Sequence, residues 1–250
     1  MLISIITVCY QSGATVASTI ASVKSQTYPH VEHIIVDGGS IDQTVDIIKA
    51  NQSSIKKWIS EPDRGIYDAM NKGLTMASGD IIGFLNADDV FADKDVLTKV
   101  ALAFEDSNLQ TVFGDIAFVK DGRIQRYYSS AHFKPDKFAY GYMPAHPSFY
   151  ARKQVYQAVG NFRTDFQIAA DYDLLMRILL VRRKSYKYLP MVFVHMAPGG
   201  VSNRSFASRI KLNQEIMKSC RDNQVPTTYL KIYLKYFRKL GEFLGAGPRI

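Results

Sequence analysis

The stretch Asp80-Ile81-Ile82-Gly83-Phe84-Leu85-Asn86-Ala87-Asp88-Asp89 decides how this chain is read. A short apolar run behind Gly79 has the pattern of a buried strand. It ends in two adjacent acids. In α/β sheets the crevice outside the carboxyl ends of the strands is where ligands bind. A carboxylate there holds a hard divalent cation, which keeps waters and takes substrate phosphates as further ligands. Asn-Ala-Asp-Asp is equally good turn material, so the flanking sequence has to decide.

Upstream, Leu2–Val8 reads as a buried strand, followed by a helix with Val16, Ile20 and Val23 at helical spacing. Tyr28-Pro29 breaks it. Val31–Val36 is a second strand, ending in Asp37-Gly38-Gly39-Ser40. A helix begins near Asp42, Lys57–Ser60 is a short strand, and Gly65–Ala77 is a helix. This alternation predicts a mainly parallel sheet with helices on both faces. Downstream the period loosens. A helix near Lys94–Glu105 precedes strands at Gln110–Val119 and Arg123–Tyr128, joined by the hairpin signal Asp121-Gly122. Residues 129–145 form a long aromatic-rich loop, a length that usually marks function. His146–Tyr150 reads as a strand, Lys153–Val159 and Asp171–Val181 as helices, and Tyr186–Val194 as one or two strands.

The chain has 250 residues, 47% of them hydrophobic, enough for one large domain with an appendage. Cys9 and Cys220 make no spaced framework, which argues against a zinc site and suits a reducing compartment. No signal peptide and no apolar run of the ~18 residues needed for a span is visible. The expectation is a cytoplasmic protein, at most peripheral to a membrane. The net charge of +8 is uneven: residues 204–250 hold ten Lys/Arg against three Asp/Glu. Such asymmetry points to an anionic surface as partner.

Five segments carry a resemblance: Ser4-Ile-Ile-Thr-Val-Cys-Tyr10, Val36-Asp-Gly-Gly-Ser40, Glu61-Pro-Asp-Arg-Gly-Ile-Tyr-Asp-Ala-Met-Asn71, Leu85-Asn-Ala-Asp-Asp89 and Ala170-Asp-Tyr-Asp-Leu174. In this order the chain resembles the family 2 glycosyltransferases of GT-A fold, in the flavour of bacterial capsule, colanic-acid and O-antigen assembly. The resemblance covers roughly residues 2–203. It implies an inverting, metal-dependent hexosyl- or N-acetylhexosaminyltransferase, taking a nucleotide-sugar, expected to be a UDP-sugar, to a glycan or lipid-linked acceptor.

The resemblance places Thr7, Cys9 and Tyr10 along the nucleotide pocket, with Asp37 and Asp63 on the nucleoside, and Arg64 beside the nucleotide. A carboxylate at a strand end accepts hydrogen bonds from a base or ribose; helix capping is the competing reading for Asp37. Asp68 and Asn71, one turn apart, either face the crevice or are polar helix positions. In the Asp-x-Asp motif the last acid binds Mn2+ or Mg2+. Here the first acid is Asn86, leaving Asp88 as ligand, Ala87 between them, and Asp89 as a lesser one. The family's Glu-Asp pair is Ala170-Asp171, so Asp171 keeps the position of the catalytic base, on the face opposite the leaving group. An N-cap aspartate is the alternative, and both hold together, because a helix N-terminus keeps a carboxylate ionised. Asp173 reads as a surface or capping partner. His146 borders the acceptor side or is a core histidine, and His195 is a weak candidate metal ligand. Gly199-Gly-Val-Ser202 matches a loop that closes over the diphosphate or forms a simple turn.

Residues 204–250 read as a basic helical tail. Thr228–Leu244 forms a helix with Lys231, Lys235, Arg238 and Glu242 on one face and aromatics elsewhere. That pattern suits a membrane interface, or packing on the domain or on a second subunit in a homo-oligomer. Two other classes compete: a sugar-1-phosphate nucleotidyltransferase, which should carry a basic Gly-rich loop that Tyr10–Ala14 lacks, and a non-catalytic nucleic-acid binder. The binder leaves the acids at four strand or helix ends unexplained, so no nucleic-acid partner is expected.

Overall fold

Continuous Ile/Val runs set the centre of the sheet. In the computed structural model, which describes residues 1–197 and 206–234, Ile3–Cys9 (β1) is buried along its whole length. It pairs in parallel with Val31–Asp37 (β2) and with Ile81–Phe84 (β4). Lys57–Ser60 (β3) adds in parallel outside β2. The connecting helices are Val16–Lys24 (α1), Thr44–Ala50 (α2) and Ile66–Met76 (α3). Parallel register brings Cys9 opposite Asp37, and Asp37 opposite Ser60, so all these strands end on one edge.

The other half of the sheet is mixed. Phe149–Arg152 (β8) runs antiparallel between β4 and Thr111–Lys120 (β6). Tyr186–Met196 (β9) is parallel to β6, and the two-residue Val90–Phe91 (β5) closes the edge antiparallel to β9. The order is β3-β2-β1-β4-β8-β6-β9-β5, with Arg123–Tyr128 (β7) paired to β6 as the expected hairpin. The parallel half is therefore the half that the βα alternation foretold. The strand expected at His146–Tyr150 starts later, after a 3-10 turn at His146–Ser148. Gly83 is required where β8 crosses: a Cβ there would meet the Tyr150 ring at 2.3 Å.

Val96–Ala103 (α4) and Lys153–Val159 (α5) flank the sheet. The helix expected over Asp171–Val181 is Ala170–Met176 (α6), continued by a π-helical turn at Arg177–Val181.

The expected boundary at residue 203 does not divide the packing. Phe206–Asp222 (α7) lies on α6, with Ile216 and Cys220 buried in the same apolar cluster as Leu174 and Leu175. Asp173, expected at the surface, is fully buried. It accepts hydrogen bonds from Ser219 Oγ (2.8 Å) and Asn223 Nδ2 (3.0 Å) and pairs with Arg177 (2.8 Å). A buried carboxylate needs such partners, and α7 with the residue that follows it provides two of them. Of the expected Thr228–Leu244 helix, residues 229–234 are described and helical, and Ile232 is buried. The remainder of that helix, and the Gly199–Ser202 loop, lie outside the described residues. No helix among the described residues is long and apolar enough to cross a membrane.

Candidate active site

The strand ends meet at Asp37, whose side chain is fully buried and fully engaged. Its Oδ2 accepts from the Gly39 and Ser40 backbone N–H groups (3.1 and 2.9 Å) and Ser60 Oγ (2.7 Å). Its Oδ1 accepts from Ser40 Oγ (2.5 Å) and the Cys9 thiol (3.6 Å). Burial pushes its pKa up, but the hydroxyl and backbone donors outweigh that and hold it below the ordinary range. The Asp37 carboxylate, expected at the nucleoside, is here engaged in tying the Gly38–Ser40 turn to β3. Cys9 is buried beneath the same turn, and burial, with Asp37 beside it, pushes its thiol pKa up. Thr7 is also buried, its hydroxyl 3.0 Å from His33 Nε2. All three lie buried at the carboxyl ends of β1 and β2.

Three groups do reach the open side of that turn. Tyr10 is 64% exposed, a large ring left free at the end of β1. Asp63, half-buried, leans over Gly38, where a Cβ would lie 2.5 Å from Oδ2 and 3.4 Å from Tyr10 Cδ2. The Asp63 Oδ1 accepts from the Gly65 N–H (2.8 Å), which fixes the turn into α3. Arg64 is exposed and paired with Asp68 across one helical turn (2.9 Å). Asn71, a candidate for the crevice, instead latches the backbone of Phe162 through both its amide atoms (2.9 Å each).

Beyond β4 the chain turns at Asn86–Asp89, with the Asp89 N–H donating to Asn86 O at 3.0 Å. Thr19 of α1 grips the turn from below, donating to Asp89 O at 2.8 Å. Ala87 is buried and Asp88 points outward. Asp89 is 1% exposed, and among the described residues no donor meets either of its carboxylate oxygens, or the buried Oδ1 of Asn86, in good hydrogen-bond geometry. Burial, with the Asp88 charge adding, pushes the Asp89 pKa far up; the Asn86 amide and the Ala197 N–H lie near enough only to pull it weakly down. The β5–β9 register places His195 opposite Val90, next to this turn. Burial lowers the His195 pKa, so its imidazole is neutral and keeps a lone pair.

Asp171 stands in the first turn of α6, half-buried. Its Oδ1 accepts from the Tyr172 N–H (2.8 Å) and lies 3.4 Å from the Tyr67 hydroxyl. No donor among the described residues reaches Oδ2. Burial pushes its pKa up to about 6, against the pull of these donors. A carboxyl so tuned takes a proton near neutrality. An aromatic relay fixes its distance from the acid turn: Phe84 at the end of β4 meets Phe162 edge-on (5.2 Å), and Phe162 stacks on Tyr67 (5.8 Å). His146 belongs to this relay, 5.1 Å from Phe84 and 5.4 Å from Phe162. It is 5% exposed, and burial lowers its pKa to about 4. The acceptor-side expectation for His146 gives way to the core reading.

Sequence reading missed Tyr67 and Glu215. Tyr67 sits inside the Glu61–Asn71 segment with no polar periodicity to single it out. Glu215 lies on α7, in the stretch read as a tail.

Residues 4–178 match the family described as Glycosyl transferase family 2. An uncharacterised glycosyltransferase of Mycobacterium tuberculosis is 32% identical over 182 residues, 72% of this chain and 69% of that one. An Escherichia coli enzyme named UDP-Glc:alpha-D-GlcNAc-diphosphoundecaprenol beta-1,3-glucosyltransferase is 29% identical over 124 residues, 49% of each chain. Among solved structures, S. aureus TarS 1-349 with UDP-GlcNAc superposes with a TM-score of 0.68 at 16% identity, over 88% of this chain and 66% of that one. This chain thus spans just under two thirds of it. Glucosyl-3-phosphoglycerate synthase of Mycobacterium tuberculosis, with Mn2+ and UDP, superposes with a TM-score of 0.64 at 16% identity, over 91% and 81%. These likenesses establish the shared GT-A fold, and with the sequence match over most of its length they make this chain a member of glycosyl transferase family 2.

Proposed function

We propose that this glycosyltransferase moves a hexose or N-acetylhexosamine from a UDP-sugar to a hydroxyl of a lipid-linked glycan in surface polysaccharide assembly, with inversion. The observation that carries the reading is Asp171: a half-buried carboxyl with one oxygen held by Tyr172 and its pKa raised to about 6. It takes the acceptor proton as the hydroxyl attacks the anomeric carbon, and one displacement inverts that centre. The exposed Tyr10 ring offers a face for the base, and the Asp63 carboxylate an acceptor for a ribose or base donor. The UDP named with the E. coli relative and with both solved neighbours supports the donor class. The diphosphoundecaprenol acceptor named for the E. coli relative supports the acceptor class.

The acid turn fits a divalent cation such as Mn2+ or Mg2+. Asp89 and Asn86 offer buried oxygens that no donor among the described residues meets in good geometry, Asp88 offers an exposed one, and His195 lies on the neighbouring strand. Among the described residues no three His, Cys, Asp or Glu side chains come close enough together to hold a metal by themselves, so the cation would need phosphate and water for its remaining ligands. When bound it supplies Lewis-acid stabilisation of the departing diphosphate. We also assign the basic residues beyond 234 to an anionic membrane surface on the cytoplasmic side.

The test is UDP release from UDP-glucose and UDP-N-acetylglucosamine in Mn2+, with the product anomer read by NMR. Inverted product from either donor is expected. Retention of configuration excludes the single displacement, and no turnover of any UDP-sugar removes the donor assignment.

A further inference from the structure

We infer that Glu215, on α7, is the positioning residue of the catalytic base: its carboxylate holds the Gln167–Ala169 turn that delivers Asp171 into the site. The inference rests on Asp171 as base. Glu215 is 5% exposed. Its Oε1 accepts from the Gln167 N–H (3.0 Å), and its Oε2 from the Ile168 and Ala169 N–H groups (both 2.9 Å). Those are three consecutive amides at the entry to α6, running from the exposed Gln167 to the buried Ala169. From the opposite side Tyr67 donates to Ile168 O at 2.6 Å. The turn is therefore clamped on its N–H side by α7 and on its carbonyl side by α3. Two residues later the chain presents Asp171. A base on so short a tether follows any tilt of that turn, and geometry at the reacting atom tolerates little displacement.

Glu215 also acts through charge. It is one of the groups whose negative charge raises the Asp171 pKa, after the larger effect of burial. The other groups facing Asp171 are few. Tyr67 comes from α3; Lys211, 3.8 Å from Glu215 and 44% exposed, offsets part of its charge from α7. On α6 itself, Asp173 is engaged by Ser219, Asn223 and Arg177. α7 is thus part of the catalytic apparatus of this enzyme, though it lies wholly beyond the segment matched to the family.

The experiment measures UDP release from whichever of UDP-glucose or UDP-N-acetylglucosamine turns over, as kcat and KM against pH. Glu215→Gln removes the charge and turns one acceptor into a donor facing an N–H. It should cut kcat by ~10-fold with donor KM nearly unchanged, and move the acid limb of the kcat profile to lower pH. Glu215→Asp keeps the charge on a shorter arm. It should lower kcat and leave the acid limb in place. A Glu215→Gln profile that superposes on the wild type overturns the inference, because a purely structural clamp would not move the limb. If Glu215→Gln does not fold, Glu215→Asp decides: unchanged kcat overturns the positioning role. Asp171→Asn run in parallel separates the two readings. Wild-type turnover in that variant removes the base, and the inference falls with it; a large loss leaves the Glu215 result to stand alone.

Discussion

The Oδ2 of Asp63 occupies the space where a Cβ of residue 38 would stand, 2.5 Å from its ideal position. Gly38 is therefore what lets the β3–α3 turn close over the β2–α2 turn. An added methyl has to displace either the carboxylate or the Tyr10 ring. Gly38→Ala should weaken UDP binding by ~10-fold or more, while costing stability only the ~1–3 kcal/mol typical of overpacking. Calorimetric UDP titration beside a thermal melt checks this. Unchanged UDP affinity would remove Asp63 and Tyr10 from the nucleoside site.

Asp88 is the exposed charged oxygen donor of the acid turn, and Asn86 a neutral one. Asp88→Ala should abolish the Mn2+ dependence of UDP binding, and Asn86→Ala should only weaken it. Isothermal titration with and without Mn2+ reads both. Full activity in EDTA would sink the metal assignment.

Asp171 has a raised pKa, about 6 folded against an ordinary 3.8. Wild-type kcat should therefore rise with pH through about 6 and then level off, and Asp171→Asn should lose ~10²-fold or more. Between those two pKa values the native state binds the proton more readily than the unfolded chain. Stability contributed by this group thus falls as pH rises from about 3.8 to 6 and stays lower above it. Asp171→Asn should accordingly melt higher than the wild type at pH 8, with the gap closing at pH 4. Differential scanning calorimetry at the two pH values tests the sign.

Removing everything after residue 203 takes away Glu215, Ser219 and Asn223, leaving the Asp173 carboxylate buried without two of its donors. Breaking a buried charge network costs ~3–5 kcal/mol, so that truncated chain should be insoluble or melt far lower. A chain ending at Leu234 keeps Ile232 and the Thr227 bond to Ala139. It should fold, and lose binding to anionic liposomes in flotation if the basic residues beyond it bind that surface. Equal flotation of both full and shortened chains would overturn the membrane assignment.

The sequence by itself determined the parallel half of the sheet, because buried parallel strands are unbroken Ile/Val runs and the helices between them carry a 3.6-residue stripe. It also singled out the acid turn and the Asp171 position, because chain order and motif chemistry are local properties. It could not show that β8 inserts antiparallel beside β4, since so short a segment carries no direction. Nor could it tell Asp37 from Asp63. Both are acids at strand ends, and only the folded register brings Ser40, Ser60 and Cys9 onto one and leaves the other at the open side. The same limit made α7 look like a tail. A helix with four basic residues reads as a solvated face, and Glu215 gains its meaning from three amides nearly fifty residues away. Long-range hydrogen bonds of this kind leave no period in the chain, so tertiary structure alone decided which of these acids are buried and engaged and which stand open.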